Sequence, residues 1–193
     1  MTEAVSGALV AVAIGVLVDT WRRASRRDVS AAEERVFRFF NNGPDAAHIP
    51  IWAVMQAGSY AAVYVVTALL WLRDDQAQAA VAFVLGTIVW IGVKRVKHNV
   101  GRGRPGAHLD SVAVRGEAQT GLGYPSGHSA LSLTLALVAT QGASPALQVA
   151  AVTVAAITGC ARMYVGAHLP LDVAGGFAIG VIVGTAAVFG LSL

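Results

Sequence analysis

The sequence predicts an all-α integral membrane bundle of about six transmembrane helices, with an interfacial amphipathic helix before the second span. Three observations predict it. Hydrophobic residues make up 55% of the chain and charged residues only 13%, against roughly 25% charged in an ordinary soluble domain. Mean hydropathy is +0.61. The apolar residues fall in long runs, with most of the basic residues beside them. The 193 residues suit one domain, 1–193. Net charge is +3, but cations clustered beside apolar spans do not make a nucleic-acid footprint. The single cysteine, Cys160, excludes an internal disulfide and a cysteine-based zinc site; inside an apolar stretch, its role is packing.

In chain order, Ala4 to Val18 is the first apolar run. At about 15 residues it is short of the roughly 20 a span needs, so it reads as a first span or a half-buried helix. A cleaved signal peptide fits poorly, since no basic residue precedes the run. Arg22, Arg23, Arg26 and Arg27 follow. Ser30 to Phe40 is the amphipathic helix: Ser30 can cap it with Glu33 placed as in a capping box. Val36, Phe37, Phe39 and Phe40 form its apolar face; Glu33, Glu34, Arg35 and Arg38 form its polar one. Ile49 to Leu72 is the second span, with Trp71 as an interfacial anchor. Asp74 and Asp75 lie in a solvated turn with no further ligands beside them. Ala77 to Val93 is the third span, Ser129 to Thr140 begins the fourth, Ala146 to Ile157 starts a fifth that runs on toward Tyr164, and Leu171 to Leu191 is the sixth. Gly176, Gly180 and Gly184 recur every four residues, which permits close helix contact within the bundle or, alternatively, a homodimer face.

Three polar segments at the span ends carry the chemistry. Lys97 to Pro105 opens the long polar stretch Val96 to Tyr124; Lys97 and Arg104 supply a point charge and a planar fork for phosphate oxygens. Pro125 to His128 reads Pro-Ser-Gly-His at the start of the fourth span. Unpaired backbone N–H groups attract anions there, Gly127 lets the backbone approach, Ser126 adds a hydroxyl donor, and His128 can protonate a leaving oxygen. The third segment, Ala161 to Asp172, holds Arg162, His168 and Asp172. Pro170 starts the sixth helix, so His168 precedes it and Asp172 sits in its first turn. There the carboxylate can hold one imidazole nitrogen and leave the other as a nucleophile. Taken singly, the segments also read as a stop-transfer basic cluster, a capped helix start and a capping Asp beside an interfacial His. Counted by spans, all three lie on one side of the bundle, which favours a catalytic site in the region 97–172. The list suits phosphate chemistry without a metal or other cofactor.

These segments resemble the signature motifs of the type-2 phosphatidic acid phosphatases, or lipid phosphate phosphatases, whose superfamily includes vanadium-dependent haloperoxidases and soluble bacterial acid phosphatases. Lys-x6-Arg-Pro matches Lys97, Arg104 and Pro105; Pro-Ser-Gly-His matches 125–128 in full; Ser-Arg-x5-His-x3-Asp matches Arg162, His168 and Asp172, with Ala161 in place of the leading Ser. The resemblance implies a phosphohistidine at His168, oriented by Asp172, with His128 as general acid. It implies that Lys97, Arg104, Ser126, Gly127, His128 and Arg162 bind the phosphate, with no metal. The substrate would be a lipid phosphate or diphosphate entering laterally from the bilayer, and membrane lipids the surroundings. Polyprenyl diphosphates, phosphatidic acid, phosphatidylglycerol phosphate and prenyl-linked sugar phosphates all fit. A phosphotransferase that passes the group to an alcohol, and a non-catalytic lipid-phosphate binder or transporter, are the alternatives. The resemblance suggests an outward-facing site. The charges suggest a cytoplasmic one, because Arg22, Arg23, Arg26 and Arg27 share a side with Lys94, Arg95, Arg102 and Arg115, against Arg73 opposite.

Overall fold

The computed structural model describes residues 3–191, so positions 1, 2, 192 and 193 of the expected 1–193 domain lie outside it. The described chain is all-α: α1 (Glu3–Ala24), α2 (Ala31–Asn41), α3 (His48–Met55), α4 (Tyr60–Trp71), α5 (Gln76–Val100), α6 (Gly127–Ala139), α7 (Pro145–Tyr164) and α8 (Pro170–Leu191). Among the described residues, four helices are long and apolar enough to cross a membrane: α1, α5, α7 and α8. A fifth span is added if α3 and α4 count as one, bent by 67° at their junction. The outward faces carry exposed Val12, Val65, Leu69, Ile88 and Ile91, as lipid-facing helices do and a soluble surface does not.

The expectation of about six spans needs three corrections. The first run does not stop at Val18: Thr20 bonds back to the Val16 carbonyl at 2.7 Å, Asp19 pairs with Arg23 at 3.5 Å, and the helix continues to Ala24. The second is broken. Ser59 is extended, and a Cβ on Gly58 would lie 2.5 Å from the His128 carbonyl oxygen, so the chain turns where it meets the start of α6. The fourth, α6, has only 13 residues. It is the axis of the bundle, buried on nearly all sides by α4, α5, α7 and α8. Its hydroxyls are satisfied along the helix itself: Thr134 donates to the Ala130 carbonyl and Thr140 to the Ala136 carbonyl.

α6 packs most extensively on α8. Lipid tails are as apolar as leucine, so close packing rather than transfer from water holds such a pair together. The glycine repeat supplies it. A Cβ on Gly176 would lie 2.4 Å from the Ser126 carbonyl oxygen, and one on Gly180 or Gly184 would strike Leu133 or Leu137. The repeat therefore faces α6 within the bundle.

The amphipathic helix forms as expected, with the Ser30 hydroxyl accepting from the Glu33 N–H at 3.2 Å. Its faces are not the expected ones. Phe37 is fully buried against Met163, Leu169 and Val173, while Phe39 points outward. Glu33, placed by the pattern on the polar face, is 5% exposed. α2 thus lies across the end of the bundle where α7 finishes and α8 begins.

Gly176→Ala should destabilise the protein by about 1–3 kcal/mol through overpacking. Gly92→Ala, whose Cβ meets nothing within 4 Å, should be neutral or slightly stabilising. Thermal unfolding of both variants in detergent checks this; equal midpoints would contradict the α6–α8 contact.

Candidate active site

Each motif residue is placed by a helix end. α5 continues seven residues beyond the expected Val93, so Lys97 rides on its last turn. Gly101, at φ 67°, ends the helix with a left-handed turn that needs no Cβ, and the chain swings inward through Arg102 to Arg104. Ser126 caps α6, accepting from the Ser129 N–H and hydroxyl, which leaves its own proton free to donate. Gly127 and His128 open α6, where N–H groups have no intrahelical partner. Arg162 lies in the last turn of α7, and Asp172 in the first turn of α8.

Backbone and side-chain bonds stitch the three segments into one site. The Ser126 N–H donates to the Asp172 carbonyl at 2.8 Å, and the Gly123 N–H to the Arg102 carbonyl at 2.7 Å. Lys97 Nζ donates to the Leu122 and Gly123 carbonyls, and Arg104 to those of Thr120 and Ala167. The Arg162 carbonyl accepts from both Ala167 and His168, which binds the turn carrying His168 to the helix carrying Arg162.

At the centre, His168 Nδ1 lies 3.3 Å from Asp172 Oδ2, which also accepts from the Leu169 N–H at 3.0 Å. Both residues are buried. Burial first, then the fields of Lys97, Arg162, Arg104 and His128, hold the His168 imidazole well below its ordinary value. It is therefore neutral at pH 7, and with Nδ1–H donated to Asp172 the Nε2 lone pair is free. Arg162 is 4% exposed, yet among the described residues its side chain bonds only to the Met55 thioether at 3.1 Å, a weak acceptor, and its Nε finds no partner there. A buried guanidinium so poorly bonded is ready for an anion. The ring of Trp90 stands edge-on to His128 at 6.4 Å. Among the described residues, no group of three or more His, Cys, Asp or Glu is arranged to hold a metal.

The eight residues singled out from the sequence thus meet at one end of the bundle. Residues 77–190, more than half of the chain, match the PAP2 superfamily. The chain belongs to this superfamily. Two solved structures resemble it. Aquifex aeolicus LpxE shares 25% identity with a TM-score of 0.71, over 82% of this chain and 95% of that one. A transmembrane PAP2-type phosphatidylglycerolphosphate phosphatase from Bacillus subtilis shares 18% identity with a TM-score of 0.73, over 93% and 95%. Among curated proteins, none matches significantly. Membership of the PAP2 superfamily, with the long apolar helices, makes this an integral membrane protein of a family that hydrolyses lipid phosphates.

The sequence reading missed four participants. Arg102 was counted only as a topological charge, yet it is fully buried and ion-paired to Glu33 at 2.7 Å and Asp172 at 3.3 Å. Arg115 pairs with Asp45, donates to the Asn41, Gly43 and Tyr164 carbonyls and lies over the Tyr164 ring. Asn41 ties the 106–124 connection to α7 through Ala113, Met163 and Tyr164. Met55 packs against Ala161, the position where the family motif has Ser, so an apolar wall stands there. The one available signal was at Arg102, where flanking glycines mark backbone held close to other groups.

Proposed function

We propose that the protein hydrolyses a lipid phosphate or diphosphate through a phosphohistidine at His168, without a metal. The observation that carries this is the buried His168–Asp172 pair set among Lys97, Arg104 and Arg162. His168 Nε2 attacks phosphorus, the bond from phosphorus to the lipid oxygen breaks, and His128 gives that oxygen its proton. Water then attacks the phosphohistidine, the P–N bond breaks, and His128 takes the water's proton. The three cations and the first N–H groups of α6 neutralise the equatorial oxygens through both steps, and Ser126 donates to one of them.

The lipid tail would enter from the side. An apolar groove of about 550 Å³ lies between α4, α6 and α7, lined by Gln56, Ser59, Val66, Ser132, Leu135 and Ala155. It does not touch the catalytic side chains, but its upper wall is the α3–α4 break, which packs on His128. This supports a substrate whose phosphate sits at the helix ends while its tail stays in the bilayer.

Purified protein should release phosphate from lipid phosphates in EDTA, and His168→Ala should lower kcat by about 10⁴-fold or more, as loss of a nucleophile does. His128→Ala should be less severe with an activated leaving group. Near wild-type turnover by His168→Ala, or EDTA inhibition reversed by Mg²⁺, would contradict the reading. Product transferred to an added alcohol in preference to water would mark a phosphotransferase instead.

We infer further that the site faces the cytoplasm. Arg102 and Arg115 no longer count toward the charge bias, since both are engaged within the fold. Arg22, Arg23, Arg26 and Arg27 still do, because Ala24 packs with Val100 and Tyr124 at the site end. With Lys94 and Arg95 they outweigh Arg73 at the other end. In a Cys160→Ala background, an impermeant thiol reagent should label a cysteine at exposed Gln76 and spare one at exposed Ser111 in intact cells. The reverse pattern would overturn the assignment.

A further inference from the structure

A buried chain of charges runs from α2 into the active site. Arg102 Nη2 donates to Glu33 Oε2 at 2.7 Å and to the Asp28 carbonyl at 2.9 Å; Nη1 donates to Glu33 Oε1 at 3.0 Å and to Asp172 Oδ1 at 3.3 Å. Glu33 Oε1 also accepts from the Leu171 N–H at 3.1 Å, in the first turn of α8. Arg102 and Asp172 are both 0% exposed. Nothing in the phosphate chemistry requires this arrangement, and buried charges are costly unless paired.

We propose that Arg102, held by Glu33, is a positioning residue for the reaction, fixing the Asp172 carboxylate so that Oδ2 faces His168. The inference rests on the phosphohistidine reading. A carboxylate can turn about its own axis and present either oxygen. Here Oδ1 is taken by Arg102, and Oδ2 is left for Leu169 and His168. As Nε2 bonds to phosphorus the imidazole gains positive character, which Asp172 stabilises through Nδ1–H. Asp172 is shared between Arg102 and His168, so the more of the guanidinium Glu33 occupies, the more Asp172 serves the imidazole. The groups facing Asp172 are His168 from the preceding turn, Arg102, Lys97 and Arg104 from α5 and its connection, Glu33 from α2, and the Tyr124 phenol. Two carboxylates around one guanidinium leave one unit of negative charge, on the side of His168 away from the phosphate, where it offsets part of the surrounding positive field.

The test is steady-state kinetics of the purified full-length protein on the lipid phosphate that the wild type turns over fastest. The variants are Glu33→Gln, Arg102→Lys, Arg102→Met and the double Glu33→Gln/Arg102→Met, with His168→Ala as reference. Loss of the orienting carboxylate costs about 10⁴-fold in the serine-protease triad, so a residue acting through that carboxylate should cost less: about 10-fold in kcat for Glu33→Gln and about 100-fold for Arg102→Met, with KM within about 3-fold. Arg102→Lys should recover part of the Arg102→Met loss. The double variant should exceed Arg102→Met, because it no longer sets two bare carboxylates against each other. A merely structural role would lower the folded fraction, leave kcat per folded molecule unchanged and make the double variant no better. Wild-type kcat in Glu33→Gln and Arg102→Lys, or a loss confined to KM, would overturn the proposal; if Arg102→Met does not fold, those two variants decide. Turnover surviving in His168→Ala would instead overturn the phosphohistidine reading.

Discussion

The Asp172 carboxylate has no exposure, and in a low-dielectric interior an unsatisfied carboxylate costs several kcal/mol. Much of the surrounding architecture follows from satisfying it. Leu169, His168 and Arg102 approach its two oxygens from the preceding turn and from the α5–α6 connection. Gly123 is excluded from carrying a side chain, since a Cβ would lie 2.8 Å from Oδ2. The residue's own carbonyl receives the Ser126 N–H, so the start of α8 and the start of α6 are fixed by the same residue. The Gly176 contact with the Ser126 carbonyl then continues that alignment into the helix pair.

The bundle makes this polar end compatible with a bilayer. Its cations lie at helix ends, donate to loop carbonyls, and are roofed by α2 and the 106–124 connection through Asn41 and Arg115. Below them lies an apolar core, in which the Thr134 hydroxyl bonds within its own helix and the Thr158 hydroxyl also reaches the Val54 carbonyl of α3. A short central helix suffices because α6 is wrapped by its neighbours and need not face lipid on its own. The α3–α4 break that interrupts the expected second span also forms one wall of the apolar groove beside α6, the groove proposed above for the lipid tail.

Most of the helices, and the gathering of the candidate-site residues at helix ends, were legible because each rests on a local signal. Long apolar runs, Ser30 as a cap, the capped helix start at Pro125 to His128, and Pro170 at a helix start all act within a few residues. What could not be read depended on distant partners. Glu33 sat three residues after a capping serine and looked like part of a capping box, but its carboxylate is taken by Arg102, 69 residues away. Arg102 and Arg115 looked like loop charges because their partners lie on α2 and its following turn, α7 and α8. The break at Ser59 was hidden inside a run apolar enough to span, since it follows from contact with His128 rather than from local composition.

The central claim is that the phosphoryl group passes through His168. Rapid quenching of the enzyme with phosphorus-labelled lipid phosphate, followed by peptide mapping, tests it most directly. The account predicts an acid-labile, alkali-stable label on the peptide containing His168, formed as fast as the lipid product and lost as inorganic phosphate appears. Label on another residue, or turnover with no phosphoenzyme at any time after mixing, would contradict it.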